Sequence, residues 1–266
     1  MENRWRKSVA AFTVKVLIVG SFMRCSDASN EKVIQEPVLV VQSPEVLDTL
    51  LGDNPIDKNT HSDTVAQRLM ALGLVDVQRV NPNIMVDIKY STTDNFMGEN
   101  LYGDLKQAFL QPDVAERLGR VQEFLESKDS LLRLYVWDAV RPRSIQQKMW
   151  DALDSIPVGQ RGKFLSNPKN GSLHNYAAAV DLSIFDLRTD TLLDMGAGFD
   201  DMRKIAYPEF ETHFLSTGEL TLEQVNNRKL LRSVMRSQNF YNIPSEWWHF
   251  NAYSREKAKQ KYDIIE

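Results

Sequence analysis

Cysteine occurs once in the 266 residues, at Cys25, so no disulfide can form within the chain. Histidine is nearly as scarce, with four residues to serve any site that needs an imidazole. No segment repeats along the sequence, which excludes solenoid and propeller architectures, and no sharp shift in composition marks a second core. Basic clusters are missing as well. The first 24 residues carry +4 against −4 for the whole chain, so the remainder carries −8. An acidic body without lysine or arginine patches argues against nucleic acid, whose phosphates demand cations, and leaves a small molecule as the expected partner. The mostly apolar run Val9–Gly20, interrupted by Lys15, is too short to cross a bilayer comfortably.

What is present is an ordinary globular composition, 42% hydrophobic and 26% charged, enough to bury one sizeable core. Arg4, Arg6 and Lys7 ahead of the apolar run give residues 1–24 the layout of a secretion signal. Cys25 stands where a lipoprotein would carry its acylated cysteine, although Met23 and Arg24 are not the small residues expected before it. Lipid anchoring through Cys25 and plain export therefore both stay open, and either places the protein in the cell envelope, periplasmic or membrane-attached. Residues 25–64, rich in Ser, Asp, Asn and Pro, read as a flexible arm. Helical spacing begins at Thr64 and closes on Gly73, so the folded domain is expected over 65–266.

Ile84, Val86, Ile88 and Tyr90 alternate with Met85, Asp87 and Lys89, the period of a strand with one buried face, and Leu132–Trp137 reads as a second strand. Between them, Val114, Leu118, Val121 and Leu125 recur at helical spacing after Pro112, as Ile145, Met149, Trp150 and Leu153 do further on. Thr221 with Gln224 forms a capping box ahead of a long helix carrying Leu222, Val225, Leu230, Leu231, Val234 and Met235. Strands and helices mix without regular βαβ alternation. The expected class is α+β: a single domain with a central, largely antiparallel sheet flanked by helices and a metal site at the sheet face.

Ser172-Leu173-His174, Val180-Asp181 and Glu246-Trp247-Trp248-His249 supply two histidines, one aspartate and one spare glutamate. A metal ion that does chemistry takes three such ligands, keeps a position for water, and uses a nearby carboxylate as proton acceptor. In Ala179–Ile184 the aliphatic residues share one strand face and Asp181 the other, with His174 a loop's length upstream. Glu246 and His249 are three apart, on opposite faces of a straight strand but on the same side of a bend, which Pro244 suits. The alternative for that pair is an aromatic edge with a salt-bridged glutamate. Arg141, leaving a strand end before Pro142, can aim five donors at an oxyanion, or it can pair with Asp138 to hold the turn. His213 reads as core-edge or surface and His61 as part of the arm.

Together, Ser172-x-His174-x6-Asp181 and Glu246-Trp247-Trp248-His249 resemble the zinc-binding signatures of the D-Ala-D-Ala metallopeptidases, and of their dipeptidase branch in particular. Further likenesses are Asp87–Gly98, Trp137–Pro142 and Asp194–Asp200, so the resemblance spans roughly Asp76 to Tyr253. It implies one zinc ion per chain held by His174, Asp181 and His249, with Glu246 as general base and acid and Arg141 as stabiliser of the tetrahedral intermediate. Tyr90, Ser172 and Asp200 would line the dipeptide pocket, Asp200 facing the substrate ammonium. The implied reaction is hydrolysis of the D-alanyl-D-alanine dipeptide in cell-wall peptide turnover. Action on peptidoglycan stems as a D,D-carboxypeptidase, action on another small peptide, and a zinc-stabilised binding module are the alternatives. One departure is Ala177, where the family pattern usually has glycine: if that position has φ > 0, the extra methyl strains the loop. Oligomeric state is not readable from the sequence.

Overall fold

The structure is a computed structural model, which describes residues 64–266. Residues 1–63, which take in the segment read as signal and all of the arm but Thr64, and His61 with them, lie outside the described residues. The strands are β1 (Val75–Asp76), β2 (Met85–Val86), β3 (Phe109–Leu110), β4 (Leu132–Asp138), β5 (Ala179–Asp186), β6 (Thr191–Leu192), β7 (Tyr241–Ile243) and β8 (Glu246–Asn251). The helices are α1 (Val65–Ala71), α2 (Val77–Val80), α3 (Pro112–Lys128), α4 (Arg143–Ala152), α5 (Val158–Arg161), α6 (Glu211–Thr217), α7 (Leu222–Ser237) and α8 (Arg255–Lys261). None of the described helices is long and apolar enough to cross a membrane.

The main sheet runs in the order β2-β4-β5-β8-β7, with β6 pairing on β5 and a separate β1-β3 ribbon. Among the described residues only β2 with β4 is parallel and every other pair is antiparallel, as expected for an α+β domain. The centre of this sheet is dry: seven of the eight residues of β5 are buried, the polar Asp181 and Ser183 among them. Helix α3 starts with Pro112 at its first turn and buries Val114, Leu118, Val121 and Leu125. Its Gln122, also buried, donates to Leu132 O (3.2 Å) and accepts from Leu134 N–H (2.7 Å). The helix side chain thus satisfies buried strand groups beyond the reach of the two-residue β2.

One expectation needs correction. The alternating segment Ile84–Tyr90 pairs only at Met85–Val86; Asp87 N–H still reaches Val136 O (2.9 Å), after which the chain coils into a 3-10 turn, Lys89–Ser91. Ile84, Ile88 and Tyr90 are buried, so the alternation reported burial while the ladder had already ended. On α7 the capping box forms as read, yet Leu222 at the first turn is 61% exposed and the buried stripe is Val225, Arg228, Leu231, Val234 and Met235. The arginine in that stripe bears on the site.

Candidate metal centre

β4, β5 and β8 converge on the site. Asp181 is directly opposite His249 in the β5-β8 pair and, past an irregularity at Val136/Asp138, opposite Asp138 in the β4-β5 pair. His174 arrives from a 3-10 turn, Leu173–Tyr176, capped by Ser172: its Oγ accepts from His174 N–H (3.3 Å) while Ser172 N–H donates to Asn175 Oδ1 (2.6 Å). The turn is tied to its surroundings. Arg141 N–H donates to His174 O (3.1 Å), Asn175 Nδ2 to Arg141 O (2.7 Å) and Ile265 N–H to Asn175 O (2.8 Å). Ala177, which closes the turn, sits at φ 50°, ψ 38° with no exposure, so the left-handed conformation anticipated for that position is what this alanine adopts.

Glu246 and His249 do meet on one side, and the device is a hairpin irregularity within a strand. Ile243 pairs with Glu246 across the Pro244-Ser245 turn, but Asn242 already pairs with Phe250. The surplus residues of β8 bow out of register, reversing the alternation that would have put positions three apart on opposite faces. Glu246 Oε2 lies 3.9 Å from His249 Nδ1.

Three donor atoms then face one another: His174 Nε2 and His249 Nδ1 at 3.1 Å, His249 Nδ1 and Asp181 Oδ1 at 2.8 Å, His174 Nε2 and Asp181 Oδ1 at 3.4 Å. A tetrahedral ion with bonds of about 2.0–2.1 Å separates its ligand atoms by about 3.3 Å, so these edges fit one ion. The far sides of the rings support this. His174 Nδ1 is 2.6 Å from Ala139 O, an acceptor only, so that nitrogen carries the hydrogen; His249 Nε2 is 2.8 Å from Asn251 Oδ1. Both inward nitrogens of the neutral rings thereby present lone pairs, to each other and to a carboxylate oxygen. Such a cluster is stable only around a cation. Without a metal, a proton takes that place: burial opposes charge on His249, but Asp181 overrides it and pushes the imidazole up to about 9. Burial raises Asp181, and the two histidines more than reverse this, holding its carboxyl far below the usual carboxylate range.

Arg141 makes the pairing with Asp138 foreseen for it, and its guanidinium lies beside the cluster. It is buried and pairs with Asp138 through Nε (3.0 Å) and Nη2 (2.5 Å), while Nη1 donates to Gln146 (3.2 Å). Hydrogens on both Nη atoms remain, and Nη2 is 3.6 Å from Asp181 Oδ2, so the guanidinium is locked in place yet faces the cluster. Burial works against its charge, but Asp138 more than offsets this. Tyr90 lies under the guanidinium, 5.1 Å from ring centre to Cζ, and its hydroxyl donates to both carboxylate oxygens of Asp200 at 3.1 Å. Burial and the neighbouring Asp200 keep that phenol protonated. Burial, reinforced by Asp181, pushes Asp200 up to about 7, and it raises Glu246 as well.

His174, Asp181, His249, Glu246, Arg141, Tyr90, Ser172 and Asp200 all line one cavity of about 230 Å³. That is small beside the ~300–1,000 Å³ of pockets for drug-sized ligands. Asp138, foreseen as the partner of Arg141, is buried and also accepts from the Tyr102 hydroxyl (2.8 Å), whereas Gln146 and Asn251 were passed over. Asn251 was findable, two strand residues beyond His249. His213 is exposed on α6, and among the described residues His174, Asp181 and His249 are the cluster able to hold a metal ion.

A family model described as D-ala-D-ala dipeptidase matches residues 70–265. The chain belongs to this peptidase family. It is 32% identical over 177 residues to the D-alanyl-D-alanine dipeptidase of Escherichia coli K12, covering 66% of this chain and 83% of that protein. The D-alanyl-D-alanine dipeptidases of Streptomyces coelicolor (29% over 191 residues, 65% and 88% covered) and Enterococcus faecium (25% over 198 residues, 68% and 92% covered) are further relatives. As a member of the family the protein is a metallopeptidase, and the His-Asp-His cluster is its candidate metal centre.

Proposed function

We propose that this enzyme hydrolyses the free D-alanyl-D-alanine dipeptide with one zinc ion bound by His174, Asp181 and His249. The observation that carries the reading is the convergence of these donors, with Glu246 at their edge and Asp200 facing the same small cavity. Bound zinc would supply Lewis acidity toward the scissile carbonyl and toward a water. Glu246, its pKa raised by burial, takes the proton of the attacking water and returns it to the leaving amine. Arg141, held by Asp138 and Gln146, meets the developing oxyanion with the hydrogens it has left. Asp200, oriented by the Tyr90 hydroxyl, accepts the substrate ammonium, and Ser172 fixes the turn carrying His174. A carboxylate dedicated to an ammonium rewards a free dipeptide and leaves an acylated peptide without a partner.

Glu246→Gln tests this directly. The variant is expected to bind zinc stoichiometrically and to lose at least about 10³-fold in kcat on D-Ala-D-Ala, within the range a positioned proton acceptor contributes. Turnover at the native rate would end the assignment. Equal turnover of N-acetyl-D-Ala-D-Ala by the native protein would favour a carboxypeptidase instead. The cation-then-apolar layout of residues 1–24 supports a place in the cell envelope, with cell-wall peptides as the source of substrate, either free in the periplasm or anchored through Cys25. Fractionation of native and Cys25→Ala proteins separates the two.

A further inference from the structure

Residues 193–206 run from β6 to a 3-10 turn, Lys204–Ala206, and hold Asp200 midway in a left-handed conformation, φ 60°. Asp200 thus has no regular ladder to fix its aim. The fixing comes from α7. Arg228, wholly buried in the apolar stripe of that helix, donates through Nε to Met195 O (2.6 Å) and through Nη1 to Ile205 O (3.0 Å). One rigid guanidinium therefore grips both ends of the segment that carries Asp200, and an unbranched ammonium could not span them in the same way. Helix neighbours reinforce the near end: Gln224 Nε2 donates to Asp194 Oδ2 (2.8 Å) and Asn227 Nδ2 to Asp194 O (2.9 Å). Gly196 lies so close to the helix start that a Cβ there would come within 2.3 Å of Leu220 Cδ2. Glu211 is 3.7 Å from Arg228 Nη1 but is engaged as a fork by Arg232 at 2.7 Å for both oxygens. An arginine buried for packing alone would be an expensive choice in an otherwise aliphatic stripe.

We propose that Arg228 is a positioning residue for substrate recognition: it touches no substrate, and by clamping the carbonyls of Met195 and Ile205 it sets the aim of Asp200 at the substrate amine. This rests on the dipeptidase reading above. The test uses Arg228→Lys and, because a buried arginine can matter for folding, the milder Asn227→Ala, each checked for zinc content. With Arg228→Lys, hydrogen exchange of residues 195–205 is expected to rise while that of 172–181 and 246–251 stays as in the native protein. KM for D-Ala-D-Ala is expected to rise about tenfold with kcat within about threefold, and Asn227→Ala to shift both readouts in the same direction by less. In an Asp200→Asn background Arg228→Lys should add almost nothing to KM, since there is no longer a carboxylate to aim.

Unchanged exchange in 195–205 overturns the clamp whatever the substrate proves to be. Faster exchange with kcat lowered and KM constant, or full additivity with Asp200→Asn, overturns its link to Asp200. A native protein that leaves the free dipeptide intact overturns the dipeptidase reading, and the exchange experiment still decides the clamp.

Discussion

Stripping the metal from the His174-Asp181-His249 cluster should leave a proton in its place, and this gives a prediction that needs no substrate. In the metal-free protein the hydrogen on His249 Nδ1 would sit where that atom faces Asp181 Oδ1 at 2.8 Å and His174 Nε2 at 3.1 Å, with Asn251 Oδ1 taking the other ring hydrogen. With the imidazole pushed up to about 9, it is roughly 99% protonated at pH 7. A metal must displace that proton, so binding at pH 7 should release about one proton, falling to about half at pH 9, with affinity dropping about tenfold per pH unit below 9. Stability follows the same group. Its folded value exceeds the 6.5 of a free imidazole, so its stabilising contribution, on the order of 3 kcal/mol, is complete below pH 6.5 and lost as pH rises to 9. Asp181 stays ionised throughout this window and adds no slope of its own. Titration calorimetry of zinc into the metal-free protein, in buffers of different ionisation enthalpy, counts the protons. Urea unfolding of the metal-free protein from pH 6 to 9 reads the second effect. Release near zero at pH 7, or stability that is flat or rising over pH 6.5–9, would refute the shared-cation account of the cluster.

Asp200→Asn should raise KM for D-Ala-D-Ala about 10- to 100-fold, the worth of a charge-assisted hydrogen bond of ~1.5–3 kcal/mol, and leave N-acetyl-D-Ala-D-Ala unaffected; an equal loss on both substrates would dismiss the ammonium contact. In the native enzyme dipeptide binding should weaken as pH falls below about 7, where Asp200 takes up a proton, and steady-state KM against pH checks it. For Ala177→Gly three terms oppose one another: relief of ~1–2 kcal/mol of left-handed strain, loss of one buried methyl at ~0.8 kcal/mol, and ~0.4–1 kcal/mol of extra unfolded-state freedom. The net change in urea unfolding should stay within about 1 kcal/mol, and a gain above ~2 kcal/mol would mean that strain dominates.

Local chemistry was legible wherever a single element decides it. The capping box at Thr221/Gln224 and the buried stripe of α3 each depend on neighbours within one helix. The alternation of Ile84–Tyr90 misled because period-two burial does not require a partner strand: the side chains go on filling the core after the backbone has left β4. The site residues were legible as types in ordered motifs, and the structure brings them to one cavity. What holds them there was legible only in part: Asp138 stands three residues before Arg141 and Asn251 two after His249, whereas nothing in the spacing of Gln146 marks it as the third support of Arg141.

Glu246 and His249 show most clearly where such reading runs out. Their spacing allows a shared side only if the backbone departs from regular geometry, and Pro244 pointed to a bend, yet both residues belong to the hydrogen-bonded strand β8. The departure lies in the pairing: after a two-residue turn, β7 and β8 lose register so that Asn242 meets Phe250, and the surplus residues swing Glu246 toward the metal donors. No propensity of Glu246 or His249 specifies that slip. It is anchored on the far side, where β5 pairs Asp181 with His249 and Ala179 with Asn251, so the strand that supplies one ligand also fixes the other. The aim of Asp200 follows the same logic at longer range. Arg228 was present in the sequence as a charge within the apolar period of α7, and its role came into view only with the two carbonyls it joins.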